Sequence, residues 1–420
     1  MGTFIAEPAR RLPVAGEFDV IVCGGGPAGC AAALASASAG AKTLLLERHE
    51  YLGGIWTGGL MPWILDQARK TGQMARWREF LLAHGGSVNP RGSLTAPPEV
   101  VKGMLEDDLR TAGVRIRYGT LLAAMVRDGR RITHAVTESR SGREAWSARI
   151  FIDCTGDGDA AALAGCGFDF GNADGDPQPA SLNAIVGGLD LEEVRPFMVP
   201  QGKIPLRELL TGLGVPPSYA MPSIFHFGCS VFGWMTHHAY HVDPADADSV
   251  TAAVLAGRAE LRRQIAALRA SGGVWRDLVL IATGAHLGIR EARRIHAVTD
   301  LSSADFGRAP EPGRSVCASG FLPDVHGTNP NRCKGVEPQQ IHLEPPLVIP
   351  WLAQVAADCD NLALAGRCIG GDFLCHASYR MTGTAVPLGE AAGLGAAWAV
   401  RRNKLLCEWN EVPYFHGETK

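Results

Sequence analysis

The chain has 420 residues, 46% hydrophobic and 20% charged, a globular mix that excludes disorder as its main state. Forty Lys and Arg against 43 Asp and Glu leave a formal net charge of -3, which gives no electrostatic reason to bind nucleic acid or an anionic membrane surface. The 51 glycines fall in short clusters without a period, so neither a collagen-like repeat nor a flexible linker explains them.

Residues 1–18 carry charges and prolines and no apolar run, unlike a signal peptide, and no stretch approaches the length of an apolar membrane span. Residues 18–23, Phe-Asp-Val-Ile-Val-Cys, read as a strand buried in a parallel sheet. Gly24-Gly-Gly-Pro-Ala-Gly29 follows, then a run of small helix formers ended by Gly40, then a second strand over 41–47. This order predicts a βαβ unit. Residues 50–98 read as loop. A helix is predicted over 99–112, and strands over 114–117, 121–127, 130–137 and 145–154. Composition shifts near residue 170 toward Pro, Gly and Asp. Residues 250–270 have one apolar face (Val254, Leu261, Ile265, Leu268) and predict a long amphipathic helix. Residues 361–366 predict a last buried strand, and 384–400 an Ala- and Gly-rich helix with Pro387 in its first turn.

The 11 cysteines are irregularly spaced and include no C-x-x-C, which removes the ligand spacing of zinc ribbons, ferredoxin-type clusters and thioredoxin-type motifs. They predict reduced thiols and a cytoplasmic protein. Cys23, Cys154 and Cys368 sit in apolar runs, where cysteine acts as a small hydrophobe.

The glycine run has the G-x-G-x-x-G spacing in the right context: strand before, helix after, acidic residue at the end of the next strand. Gly24 makes the turn and Gly26 lets backbone approach a pyrophosphate. Gly29 lets the helix pack on the strand, and Pro27 and Ala28 open a helix whose free N–H groups face the phosphates. Glu47 stands where a carboxylate binds a ribose, which favours FAD or NAD over NADP. Gly156-Asp157-Gly158-Asp159 ends a strand, with Asp159 positioned as a helix N-cap. His237, His238, His241 and Asp243 have no spacing that fixes a metal geometry and read as the polar end of a surface helix; no metal is expected.

Five segments together resemble the FAD-dependent oxidoreductases of glutathione-reductase-type fold, most closely the subgroup related to the heterodisulfide-reductase A flavin domain. They are VIVCGGGPAGCAAA with LLLER, YLGGIWTGG, FIDCTGDGDAAALAG, LGIREARRI, and NLALAGRCIGGDFLCHASYRMTGTAVPLGEAAGLGAA. The resemblance implies an α/β chain: a Rossmann-like FAD-binding domain split between 1–170 and 345–405, a mixed α+β substrate domain inserted at 171–344, and a C-terminal tail at 406–420. It implies FAD contacts from Gly24, Gly26, Pro27, Ala28, Gly29, Glu47, Arg48, Gly53, Gly54, Gly156, Asp157, Gly366 and Arg367. The N-terminus of the Thr384 helix would face the flavin.

On the same basis His376 and Arg380 would lie under the flavin ring. His376 would act as a base or merely pack, and Arg380 would hold a substrate anion or steady the reduced flavin. Arg290 and Glu291 would serve a structural or substrate-side role, or only form solvated ion pairs. His226 and His286 are the next candidates for a base. The implied activity is hydride removal from a small or medium polar organic substrate to FAD. The single dinucleotide fingerprint argues against a dedicated nicotinamide domain, and no cysteines close in sequence suggest a disulfide reductase. A flavin-dependent monooxygenase or reductase and a non-catalytic flavin-binding partner protein remain the rival readings. No motif names the substrate or the electron acceptor.

Overall fold

The computed structural model describes Ile5 and residues 8–61, 63–89, 92–228, 230–338 and 342–417; the outermost ends of the expected domains lie outside these. Its centre is a sheet whose parallel strands run in the order Arg115–Arg117, Thr43–Leu46, Val14–Cys23, Gly142–Asp153. The first strand continues into the helix Pro27–Ser38 and then into Thr43–Leu46, the βαβ unit expected from the sequence. The crossover works because its residues are small: Pro27 to Ser36 are all buried, so the helix is enclosed on every side rather than amphipathic.

The strand Gly142–Asp153 serves two partners on one edge. Its first half pairs antiparallel with Arg131–Ser139, which pairs in turn with Leu121–Asp128. Its second half pairs in parallel with Leu362–Leu364 from the far end of the chain. Asn361 sits at the fork, fully buried. Its Oδ1 accepts from Ile132 N at 2.8 Å, and its Nδ2 donates to Ile132 O at 2.8 Å and Arg149 O at 3.0 Å. The side-chain amide thus replaces the ladder bonds lost where the strands splay apart.

The helix Thr382–Arg402 then packs against Pro27–Ser38. A Cβ on Gly389 would lie 2.0 Å from Ala28 O, and one on Gly393 would lie 2.2 Å from Ala32 O, so the two backbones touch. This helix starts two residues earlier than expected, and Pro387 therefore sits in its interior, in the second turn.

A second core is built on an antiparallel sheet in the order Ser223–Gly228, Val231–Met235, Ala184–Gly187, Val279–Thr283, covered by the helix Ala247–Ser271. Ile295, Val316 and Cys317, within the region read as inserted, bury instead in the larger core. So do Leu406, Trp409, Val412 and Phe415 of the segment read as a tail. Residues 72–83, read as loop, form a helix that buries Met74, Trp77 and Leu81.

The first turn of that helix is held by Glu390, whose Oε2 accepts from Gln73 N at 2.8 Å. Burial raises the Glu390 pKa from 4.5 to about 7, against the bond from Gln73 and the charge of Arg76. Between these values the unfolded carboxyl is ionised while the folded one holds its proton, so stability falls as pH rises through this window. Glu390→Gln keeps the acceptor and removes the proton. Its unfolding temperature relative to the parent is expected to be higher near pH ~8 than near pH ~5; equal differences at both would show that the carboxyl does not titrate there.

Candidate functional site

A cleft of about 1190 Å³, counting its mouth, opens at the carboxyl ends of four parallel strands, where Cys23, Leu46, Cys154 and Ala365 line it. That edge is where open α/β sheets bind ligands. The three fingerprint glycines do different jobs. Gly24 has φ +100, and a Cβ there would lie 2.5 Å from Cys154 O. A Cβ on Gly29 would lie 1.8 Å from Gly24 O, so this glycine seats the helix on its own turn and does not line the cleft. A Cβ on Gly26 meets nothing within 4 Å: it is the open position, at the N-cap of the helix.

Glu47 closes this end. Its Oε2 accepts from Gly25 N at 2.6 Å and its Oε1 from His49 N at 2.8 Å. Burial raises its pKa against those bonds. Gly53 has φ +92 and donates its N–H to Gly25 O at 2.8 Å. It braces the turn from outside the lining, while Gly54 lines the cleft with its Cβ position 3.2 Å from Gly26 Cα.

Beyond Glu47, Arg48 and His49 line the cleft together with Thr120, Leu121 and Leu122. The rings of His49, Tyr51 and His286 cluster, His49 lying 5.0 Å from Tyr51 and 5.2 Å from His286 and Tyr51 6.2 Å from His286, and Tyr51 Oη lies 2.8 Å from His286 Nδ1. Burial, then the neighbouring His49 and Arg48, lowers the His286 pKa to about 3; burial and Arg48 lower that of His49 to about 4. Both rings are neutral at neutral pH.

On the opposite wall Gly366 has φ +88, and the Arg367 guanidinium pairs with Asp157 across Gly156. The Asp157 loop is organised from behind by Asp153, whose carboxylate accepts from Thr155 N, Thr155 Oγ1 and Ala161 N. Asp159, expected as the N-cap, lies in the first helical turn. Gly158 is the cap in left-handed conformation, and Asp159 instead pairs with Arg293 at 2.9 Å.

A smaller cavity of about 650 Å³, counting its opening, adjoins the cleft and shares Ile55, Gly288, Ile289, Arg367, Arg380 and Thr382 with it. Met61, Trp63, Leu65 and Met381 give it an apolar side; Ser181, Asn183 and Arg290 give it a polar one. Arg290 Nη1 donates to Pro179 O at 2.6 Å and Ser181 Oγ at 2.8 Å. Burial and the nearby Arg380 lower its pKa to about 10, so it stays charged. Arg380 Nη2 donates to Asp324 O at 2.6 Å and to Asp324 Oδ2 at 3.1 Å. Burial pushes the Asp324 pKa up, but the His326 bond and the arginine charges outweigh it and hold it well below the usual carboxylate range.

Residues 19–412 match the family described as FAD dependent oxidoreductase. The chain belongs to this family. It is also similar over part of its length to curated thiamine thiazole synthases. The similarity is 33% identity over 151 residues to that of Methanococcus vannielii and 27% over 150 residues to that of Methanococcus aeolicus, in each case 33% of this chain. The matched stretches cover 56% and 55% of those proteins, so the chain spans about half the length of the curated relatives it matches. Among solved structures, a geranylgeranyl bacteriochlorophyll reductase-like protein from Thermoplasma acidophilum superposes with TM-score 0.47 at 13% identity, covering 92% of this chain and 78% of that one. A p-nitrophenol 4-monooxygenase from Pseudomonas putida DLL-E4 gives 0.48 at 12%, covering 92% and 81%.

As an FAD-dependent oxidoreductase, the chain brings Gly24, Gly26, Pro27, Ala28, Glu47, Arg48, Gly54, Gly156, Asp157, Gly366 and Arg367 to one cleft. Thr384 is not among its lining residues: its Oγ1 donates to Asp66 Oδ2 at 2.7 Å, and Thr382 and Ala385 line the cleft instead. His376 lines neither cavity. It is fully buried, edge-on to Tyr379 at 5.5 Å, with neither ring nitrogen hydrogen-bonded among the described residues. Burial first, then Arg380, lowers its pKa well below the ordinary value. His226 lies against Phe232 and lines no cavity described above.

Arg290 and Arg380 do meet at the inner cavity, while Glu291 turns away to pair with Arg294 and to accept from Gln178 N. His237 and His238 are buried rather than surface residues, because His237 accepts from Leu182 N and His238 stacks on Tyr219 at 4.0 Å. Among the described residues no group of three His, Cys, Asp or Glu could hold a metal. Cys166 and Cys359, distant in sequence, bring their sulfurs within 3.6 Å, outside both cavities. No helix among the described residues is long and apolar enough to cross a membrane.

Glu47→Ala is expected to lower FAD affinity tenfold to a hundredfold, since a hydrogen bond to a charged group contributes ~1.5–3 kcal/mol and the substitution also frees the Gly25 N–H of the turn. Titration of FAD into stripped protein checks this; parent affinity would remove Glu47 from the site.

Proposed function

We propose that the chain is a dehydrogenase or oxidase that takes two electrons from a small or medium polar organic molecule held in the inner cavity. The observation that carries this is the opening of that cavity into the glycine-lined cleft, with Thr382, Arg367 and Arg380 on the shared wall. The residues fit a dinucleotide: the Gly26 position is a space that only a missing Cβ leaves open, at the N-terminus of a helix. In this reading Gly24 and Gly26 border the pyrophosphate and Glu47 takes a ribose hydroxyl. The Gly366–Arg367 turn and Thr382 border the flavin half.

FAD, when bound there, supplies the two-electron acceptor. The inner cavity's own residues bind and orient the substrate. Among the described residues lining it there is no carboxylate and no imidazole, so a proton released on oxidation leaves by solvent rather than to a side chain of that wall. The likeness of the terminal segment to heterodisulfide-reductase A flavin domains supports the flavin part of this reading only, since no cysteine spacing suits an iron–sulfur cluster.

The test is anaerobic mixing of FAD-loaded protein with alcohols, amines, hydroxy acids and sugars, followed at the flavin band near ~450 nm. Loss of the band with one substrate class, and none on rapid mixing with NADH or NADPH, is the expected result. Fast, saturable loss with NADPH would instead favour a monooxygenase or reductase. No loss with any compound would favour a non-catalytic flavin-binding protein.

A further inference from the structure

We propose that the inner cavity takes an organic carboxylate, its anionic end between Arg290 and Arg380 and its apolar body against Trp63 and Met381. This rests on the reading of that cavity as the substrate site.

The first argument is charge. Three guanidiniums line the cavity, those of Arg290, Arg367 and Arg380, and Asp324 is bonded to that of Arg380. Among the described residues Arg290 donates to neutral oxygens, Pro179 O and Ser181 Oγ. The other charges nearby are committed elsewhere: Glu291 to Arg294, and Asp157 to Arg367. The surrounding imidazoles carry no proton at neutral pH, because burial first, then Arg290, lowers His237 to about 4 and His326 to about 3, and His238 well below its ordinary value. One positive charge is therefore left in a poorly solvated wall. Such a charge is costly unless a ligand answers it. A single excess charge suits a monoanion better than a doubly charged phosphate.

The second argument is hydrogen bonding. Five polar atoms of the cavity's lining residues are buried without a partner among the described residues: Arg380 Nε, Arg367 Nε, Trp63 Nε1, Thr382 Oγ1 and Asn183 Oδ1. Four of them can donate, as a carboxylate requires. The fifth is an acceptor, and its identity is fixed, because Asn183 Nδ2 donates to Gly59 O at 3.1 Å. Buried polar groups are normally satisfied, so a cluster of unsatisfied ones marks where a ligand or water completes them. Asn183 Oδ1 further calls for a donor on the substrate, a hydroxyl or an amine. The natural substrate thus carries a carboxylate, an O–H or N–H group and an apolar portion.

Calorimetry on FAD-loaded protein tests this with benzoate, benzamide and inorganic phosphate. Benzamide has nearly the shape of benzoate without its charge, so benzoate is expected to bind at least about tenfold more tightly, with phosphate weaker still. Arg290→Met and Arg380→Met, each loaded with FAD, are expected to lose the preference for benzoate over benzamide. Equal binding of benzoate and benzamide by the unmodified protein overturns the proposal, as does no binding of benzoate. Phosphate binding as tightly as benzoate overturns the monoanion assignment. Protein that retains no FAD overturns the underlying reading and this inference with it, whereas yellow protein indifferent to benzoate overturns this inference alone.

Discussion

Gly26→Val is expected to give folded, colourless protein. The residue has φ -70 and ψ -175, extended backbone that any residue adopts, so a side chain brings no backbone strain. Nothing lies within 4 Å of its Cβ position, so it meets no protein atom there either. The cost to the fold is the poorer N-cap alone, about 1 kcal/mol or less. The cost to the cofactor is large, because the valine fills the space where a pyrophosphate would meet the helix N-terminus. Flavin absorbance per mole of protein is expected to fall below about a tenth of the parent's, with an unchanged circular dichroism spectrum. Full flavin content would move the pyrophosphate away from this glycine.

Gly389→Val is expected to do the reverse, acting on the fold before the cofactor. Its Cβ position lies 2.0 Å from the backbone oxygen of Ala28, which cannot give way as the end of a side chain can. Overpacking in a well-packed core usually costs ~1–3 kcal/mol, and contact with backbone places this variant at or above that range. Against a total stability of ~5–15 kcal/mol, a marked drop in unfolding temperature and in soluble yield follows. Gly103→Ala serves as the control: it lies in the helix Pro98–Thr111 with nothing near its Cβ position, and alanine there is expected to add ~0.5–1 kcal/mol. If Gly389→Val melts with the parent, the two helices do not touch as described.

These two glycines mark how far the sequence could be read. The fingerprint, Glu47 and the last strand are local patterns: spacing, period and turn chemistry over a few dozen residues identify them. The helix at 72–83 had a usable signal in the i, i+3, i+7 spacing of Met74, Trp77 and Leu81, but the glycines on both sides of it read as loop. The inner cavity had no such signal. Trp63, Asn183, Arg290, Arg380 and Thr382 come from four separated stretches, and only tertiary packing gives them a common wall. His376 shows the converse. A histidine beside the expected flavin ring suggests a base, yet a helix turn settles which way it points, and Cys375 to Tyr379 are all buried. The LGIREARRI segment resolves the same way: Arg290 faces the cavity, Arg293 holds Asp159, and Glu291 and Arg294 pair with each other.

The fork at Asn361 and the Gly389 contact together mean that the beginning of the chain is completed by its end. During synthesis, the helix Pro27–Ser38 leaves the ribosome with a face of bare alanines and glycines, and its cover is still untranslated. About 360 residues separate the two, which at ~5–20 residues per second is a delay of roughly 20–70 s. For that time the nascent βαβ unit exposes apolar surface and an unfinished strand edge, the surfaces on which chains aggregate. Expression of this protein is therefore expected to depend on chaperone supply and translation speed more than its finished stability would suggest. Truncation before Leu362 should yield insoluble protein even though the whole fingerprint is present.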